Sequence, residues 1–406
     1  MIWSIAWRNV WRNKVRSIIM IVAIALGLIA GVFTMAFMQG TVDARIESAT
    51  KSELAHLQIH APHFSENNES SFYISNATEL VNNIENLDSV KAASSRLIAE
   101  PFITAAHGTG GGKLVGIDIE KEKNVTDIWE HLIDGTYLEK TSRMPPVLIG
   151  DKLAKKLKLK VGSKINVQMV DLEGDLSAKG YRVCGIFKTT NNTFDETNLF
   201  VRSKDLQTQL GIEENTAHEI AILVDKGDEA PLIKSSIQNI AGENVVETWK
   251  ELSPEMSLLT DAMDQYMYIF ILIILLGLCF GIINTMLMAV LERVKEIGML
   301  MAVGMNKRKI FRMIILESVL LTLTGGFFGI LFGSGITKFF ETTPIDMSMF
   351  SEGLGEFGFA TQVYTSLQTE TLVTISILVV ITGLLSAIYP ARKALKLNPA
   401  EATRTD

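Results

Sequence analysis

LERVKEIGMLMAVGMNKRKI, residues 291–310, is a charged stretch held between two long apolar runs. Val294, Ile297 and Met301 recur at helical spacing, while Glu292, Arg293, Lys295 and Glu296 occupy the other faces. This pattern predicts a short amphipathic helix, and Gly304 offers it a stop. A helix tethered at both ends to apolar runs can lie along a bilayer surface or seat in a partner's groove. Its surroundings decide between them.

The chain has 406 residues, 48% of them hydrophobic, and a mean hydropathy of +0.25. Four runs are long enough to cross a hydrocarbon core of about 30 Å. Residues 18–38 and 372–389 carry no charge, 269–290 hold Asn284 as their one strongly polar residue, and 313–336 hold the single acid Glu317. The first run is longer than a signal-peptide core and lacks a small-residue cleavage site, so it reads as a retained anchor. Cys184 and Cys279 lie in unrelated settings, one of them inside a span, and no disulfide is expected.

Lys and Arg fix the expected orientation. Arg8, Arg12, Lys14 and Arg16 precede the first run; Arg293, Lys295, Lys307, Arg308, Lys309 and Arg312 crowd the connection from second to third; Arg392, Lys393, Lys396 and Arg404 follow the fourth. The connection from third to fourth has only Lys338 against five acids. Both termini and the opening stretch are therefore expected in the cytoplasm, and residues 39–268 outside. That insert is acidic, so the formal charge of -7 carries no nucleic-acid signal.

The expected organisation is an α-helical membrane protein with four spans and an α+β extracytoplasmic domain between the first and second. Residues 1–17 form an interfacial helix, with Trp3, Trp7 and Trp11 beside Arg8 and Arg12. The first span is 18–38; the external domain with its helical stalks, 39–268; the second span, 269–290; the cytoplasmic coupling helix, 291–309; the third span, 310–336; an external loop, 337–371; the fourth span, 372–389; and the tail, 390–406. Within the domain, strands are expected at 56–60, 96–104, 113–117, 164–170, 181–187, 199–202, 219–224 and 245–249. Helices are expected at 78–86, 151–157, 205–210 and 230–240. The early and late strand–helix units could pair into one subdomain interrupted by residues 106–217. Glycines four apart at 27/31, 277/281 and 325/329/333, with Gly383 and Ala387, suit close helix packing in a bilayer.

Chemistry is sparse. Residues 108–113 fail the phosphate-loop template, because His107 stands at its first glycine and Leu114 follows the lysine. His56, His60 and His63 do not share one strand face, so no metal site is expected. There is no recognisable catalytic constellation, hence no catalytic residue is assigned and no enzyme is expected. Glu317 is a candidate by position alone. Near the basic end of its span, it is expected to pair with Arg312 or Arg308.

The motifs together resemble the FtsX-like permease family, the membrane subunits of mechanotransmitting (type VII) ABC transporters. ERVKEIGMLMAVG is similar to the family's coupling segment at Glu292, Arg293, Glu296, Ile297, Gly298, Leu300, Ala302 and Gly304. YPARKALKLNPAEATR resembles its closing pattern and AWRNVWRNKVRS its N-terminal anchor. The resemblance implies no cofactor in this chain, ATP and Mg on a separate ABC ATPase, and a second permease subunit, identical or paralogous. Placement in a bacterial inner membrane follows, with a periplasmic domain of Porter-like (about 55–105 and 218–250) and Sabre-like (about 106–217) parts. Within the family the length and order look most like lipoprotein-releasing LolC and LolE subunits. Acyl chains would then enter a cavity near Phe33, Met38, Met263, Met267 and Phe270, and a periplasmic carrier would receive the cargo. The loop 171–180 is shorter than the carrier-recruiting hook of the LolC type. MacB-like efflux, an FtsX-like regulator and a receptor without an ATPase are the alternatives. Glu292 and Glu296 are expected to face the ATPase.

Overall fold

Residues 2–139 and 143–395 are described by a computed structural model. They form two compact units. One holds the residues up to Asp43, Thr260–Asp346 and those from Gln362; the other holds Ala44–Leu259 with Met347–Thr361.

Among the described residues four helices are long and apolar enough to cross a membrane, and all are longer than the expected spans. They cover Lys14–Ser48, Pro254–Glu292, Lys307–Phe340 and Thr369–Leu395. The second has 39 residues, about 58 Å at 1.5 Å per residue, nearly twice the hydrocarbon thickness. The fourth continues as helix through Pro390 to Leu395. Lys396 and Arg404, with the end of the closing motif, lie outside the described residues.

Small residues set how closely these helices pack. A Cβ at Gly325 would sit 2.8 Å from the Ile24 Cβ, and one at Gly329 would sit 2.7 Å from the Leu28 Cβ, so the third span's glycine row seats the first span. Gly383 does the same for Thr322. Gly277 and Gly281 differ, since nothing lies within 4 Å of their Cβ positions. Their spacing alone could not show which of the glycine pairs pack within the chain.

The second unit is built on one sheet. Its strands are β1 (Leu57–His60), β2 (Val90–Ala99), β3 (Phe102–Ala105), β4 (Gly108–Gly111), β5 (Lys113–Ile117), β6 (Leu132–Gly135), β7 (Pro146–Gly150), β8 (Lys164–Val170), β9 (Leu176–Phe187), β10 (Asn198–Arg202), β11 (Glu219–Val224) and β12 (Val245–Thr248). Their order is β12-β1-β11-β2-β5-β10-β7-β9-β8-β3-β4, with β6 on β9. In the run β12-β1-β11-β2 each strand is antiparallel to its neighbour, and the four are linked as two strand–helix–strand units through Ala77–Glu85 and Ala230–Ala241, a split β-α-β arrangement. Leu57, Ile59, Val81, Ile84, Ile222 and Ile237 fill the core beneath them. A second core, with Leu114, Ile149, Val167 and Tyr181, lies under the inserted strands.

Several expectations change in detail. The strand foreseen at 96–104 is two strands, broken at Glu100 and Pro101, because proline offers no N–H to a ladder. The helix Ile119–Val125, capped by the Asp118 carboxylate, and the fully buried β7 had no clear periodicity and were missed. The loop foreseen at 171–180 is a tighter turn. Asp171 Oδ1 accepts from the N–H groups of Glu173 and Asp175, and β9 already starts at Leu176.

His60, Glu219 and Arg96 stand opposite one another on β1, β11 and β2. Arg96 donates to Glu219 at 2.6 Å and to Glu122 at 2.7 Å, and all three side chains are buried. His60 meets Glu247 at 3.2 Å and Glu219 at 3.6 Å, and stacks on Phe64, which stacks on His218. Burial alone would push the His60 imidazolium down, but the hydrogen bonds and charges of the two glutamates hold it above the ordinary histidine value. Burial pushes His218 below that value, while its bonds to Ser70 and Ile98 oppose the shift.

The two histidines therefore contribute opposite pH slopes. The stability His60 gains is present below the ordinary value of about 6.5 and lost as pH rises through its higher native value. That of His218 is present above that value and lost as pH falls through its depressed one. Thermal unfolding of His60→Gln against the parent, from pH 5.5 to 8.5, is expected to show a deficit that shrinks with rising pH. For His218→Gln the deficit grows. Parallel curves for the two variants would contradict this assignment.

Candidate coupling site at the basic end of the helix bundle

Arg293 leaves helical geometry, with φ -102° and ψ 18°, and separates the second span from the short helix Val294–Ala302. Gly304 closes that helix at φ +98°, a conformation costly for any residue with a Cβ. The Met305 N–H returns to the Leu300 carbonyl at 2.9 Å. Asn306 then caps the third span by accepting from the Arg308 N–H.

Ile297 and Gly298 are buried against the bundle and Leu300 is half-buried. Among the described residues the opposite face is exposed. Met299 is 61% and Val303 84% exposed, flanked by the exposed Lys295, Lys307, Arg308 and Lys309. Beside it Ile5, Leu300, Val303, Gly304, Met305, Lys309 and Met313 line an apolar groove of about 470 Å³. The surface offers exposed apolar side chains ringed by cations, suited to a protein partner with acidic flanks.

The acids do something else. Glu296 takes two hydrogen bonds from Arg12, one of them 2.8 Å long, and Glu292 takes one from Arg16. The Arg12 bond holds the Glu296 carboxyl below its ordinary range. Arg293 donates to Glu317 at 3.0 Å and to the Asn9 carbonyl at 2.9 Å. One expectation is thereby corrected: Glu317 pairs with Arg293, not with Arg312 or Arg308. Glu292 and Glu296 are paired within the chain but stay 46% and 43% exposed. In both cases the partner lies far away in sequence or on another helix, where spacing cannot reveal it.

The residues expected near a substrate path are dispersed. Phe33 packs edge-on against Phe340 of the third span, with ring centres 5.6 Å apart. Met267 joins Met35, Gln39, Ile271 and Glu370 around a cavity of about 290 Å³. Met38 and Met263 are half-buried, and Phe270 is 43% exposed. A larger apolar groove, about 430 Å³, lies between the first and second spans nearer the basic end, lined by Met20, Ile24, Gly27, Ile274, Gly277 and Gly281. Its sequence signal was the glycines, whose missing side chains open it.

Four apolar helices, an α/β domain inserted after the first and a basic segment after the second define a multi-pass membrane protein of the transporter-permease class. Residues 268–399 match the FtsX-like permease C-terminal model, and residues 17–240, just over half the chain, match the MacB-like periplasmic core domain. The chain belongs to the FtsX-like, MacB-type permeases of type VII ABC transporters. It is 24% identical to the lipoprotein-releasing system transmembrane protein LolC of Buchnera aphidicola over 71% of each chain. It is 28% identical to an ABC transporter permease of Methanocaldococcus jannaschii over 56% of this chain, spanning about half (55%) of that relative. The macrolide export ATP-binding/permease protein MacB of Chlorobaculum tepidum is 37% identical over 30% of this chain and 16% of its own length. The crystallised periplasmic region of MacB from Actinobacillus actinomycetemcomitans aligns with 51% of this chain and 91% of its own at 8% identity and a TM-score of 0.34.

Proposed function

We propose that the protein is the permease subunit of a mechanotransmitting transporter that releases lipoproteins from a bacterial inner membrane, powered by a separate ABC ATPase carrying ATP and Mg. The observation carrying this reading is the exposed Met299 and Val303 face with its adjoining groove, a docking surface placed directly after the second span. A push there enters an unbroken helix that runs from Glu292 back to Pro254. The likeness to LolC over most of both chains favours a lipoprotein as cargo. The apolar groove between the first and second spans is of a size to take an acyl chain.

In this reading the basic end faces the cytoplasm, following the Lys and Arg distribution. The permease works as a pair with itself or a paralogue, and Gly277 and Gly281, uncovered in one chain, lie on the face available to a neighbour or to lipid. The five-residue turn between β8 and β9 leaves carrier recruitment to the other subunit. Efflux of the MacB kind is the second reading, favoured by the higher local identity to MacB relatives.

Purification of the complex from native membranes tests both. An ATPase with a bound lipoprotein supports release, an ATPase with a periplasmic adaptor supports efflux, and recovery without any ATPase removes the transporter reading. Val303→Glu, placed on the free face, is expected to cut ATPase recovery at least tenfold while leaving the amount of permease unchanged.

A further inference from the structure

The residues that bind the coupling helix internally lie on one edge of the N-terminal segment. Residues 2–12 form a separate amphipathic helix that ends just before the first span, with Ala6 and Val10 buried and Trp3 and Trp7 exposed. Asn9 and Arg12 lie on this helix, and Arg16 lies on the first-span helix that starts at Lys14 beyond a bend at Asn13. They meet Arg293, Glu296 and Glu292 respectively. Arg12 and Arg16 are four residues apart, as are Glu292 and Glu296, and the pairs run antiparallel, 12 with 296 and 16 with 292. The Arg12 pair is bidentate, which fixes register as well as charge. From the middle of this ladder Arg293 also reaches Glu317, tying in the third span.

Exposed ion pairs contribute little to stability, so three contacts on one edge would be a poor device for holding the fold. They are well suited to holding orientation. We infer that this charge ladder lashes the N-terminal helix to the coupling helix, so that the two move as one body and Arg12 and Arg16 are positioning residues for the power stroke. The inference rests on the permease reading and extends it. The N-terminal helix becomes part of the driven element, and Glu292 and Glu296 serve as internal latches while partner contact falls to the exposed apolar face. A stroke on the coupling helix then reaches the N-terminal helix directly through Arg12, while Arg16 ties the first span to Glu292 at the end of the second.

Two experiments on the full chain test this. In a Cys279→Ser background, Arg12→Cys with Glu296→Cys should be joined in membranes by a bismaleimide of about 8 Å reach, whether or not an ATPase is present, because two long side chains meeting at their tips leave the Cα atoms too far apart for a direct disulfide. Absence of the link overturns the latch without touching the permease reading. In the purified complex, Trp7→Cys should change its maleimide labelling rate at least threefold when the ATPase is trapped with ATP and vanadate. Arg12→Glu with Arg16→Glu should abolish that response while ATPase recovery stays unchanged, and adding Glu292→Arg with Glu296→Arg should restore it. A response that survives the arginine reversals, a swap that fails to rescue, or loss of ATPase on Glu296→Arg alone would each overturn the inference. If the parent chain recovers no ATPase, the permease reading fails and the cross-link alone decides the latch.

Discussion

Arg96→Met is expected to lower the unfolding temperature of the extracytoplasmic unit by on the order of 10 °C, through a loss of roughly 3–5 kcal/mol. The guanidinium is 5% exposed and lies between Glu122 and Glu219, themselves 1% and 2% exposed. Among the described residues, removing it leaves two carboxylates in the interior with the Thr126 hydroxyl, His60 and the more distant Lys113 as partners. Burial pushes Glu219 up, but the charge of Arg96, aided by Lys113 and His60, holds it well below the ordinary glutamate range. Its stabilisation is therefore present above that range and is lost as pH falls through the native value. In the variant Glu219 should take up its proton at higher pH, so the deficit should be largest near neutrality and narrow on acidification. Thermal unfolding of the purified chain at pH 4.5 and 7.5 reads this. Equal deficits at both values would show that Arg96 acts through packing alone.

Glu317→Gln is the second large effect, again roughly 3–5 kcal/mol, because it leaves Arg293 without its carboxylate among buried neighbours. The side chains are 9% and 16% exposed, and Arg293 also holds the Asn9 carbonyl, so the loss should appear as a bundle that unfolds earlier in detergent. The double variant Arg293→Met with Glu317→Leu separates two roles. A well-packed apolar pair of similar volume costs little in general, so the fold should recover. Recovered stability together with recovered transport would make the pair purely architectural. Recovered stability with transport still absent would give Glu317 a part in the cycle, contrary to its pairing geometry.

The membrane class of the chain was legible because it depends on local composition. Long uncharged runs, basic flanks and a glycine at 304 report on bilayer thickness and backbone freedom, which act on neighbouring residues. Strand–helix alternation in the insert was legible for the same reason where the pattern was regular, as in Ala77–Glu85 and β11, and failed where it was not, as at Pro101 and in the uniformly buried β7. The motifs AWRNVWRN and ERVKEIG were both visible, each with charges four residues apart. That they face each other was not, because about 280 residues separate them and like spacing does not imply contact.

The same division runs through the whole molecule. Sequence alone determined the number of spans, the presence of a large α/β insert and the short charged helix after the second span, since hydropathy and periodicity are properties of short windows. Tertiary structure decided which glycines seat a helix and which open a groove, which arginine neutralises Glu317, and that Glu292 and Glu296 pair with Arg16 and Arg12. Those outcomes depend on where distant backbones approach within a few ångströms, and no short window of residues contains that distance.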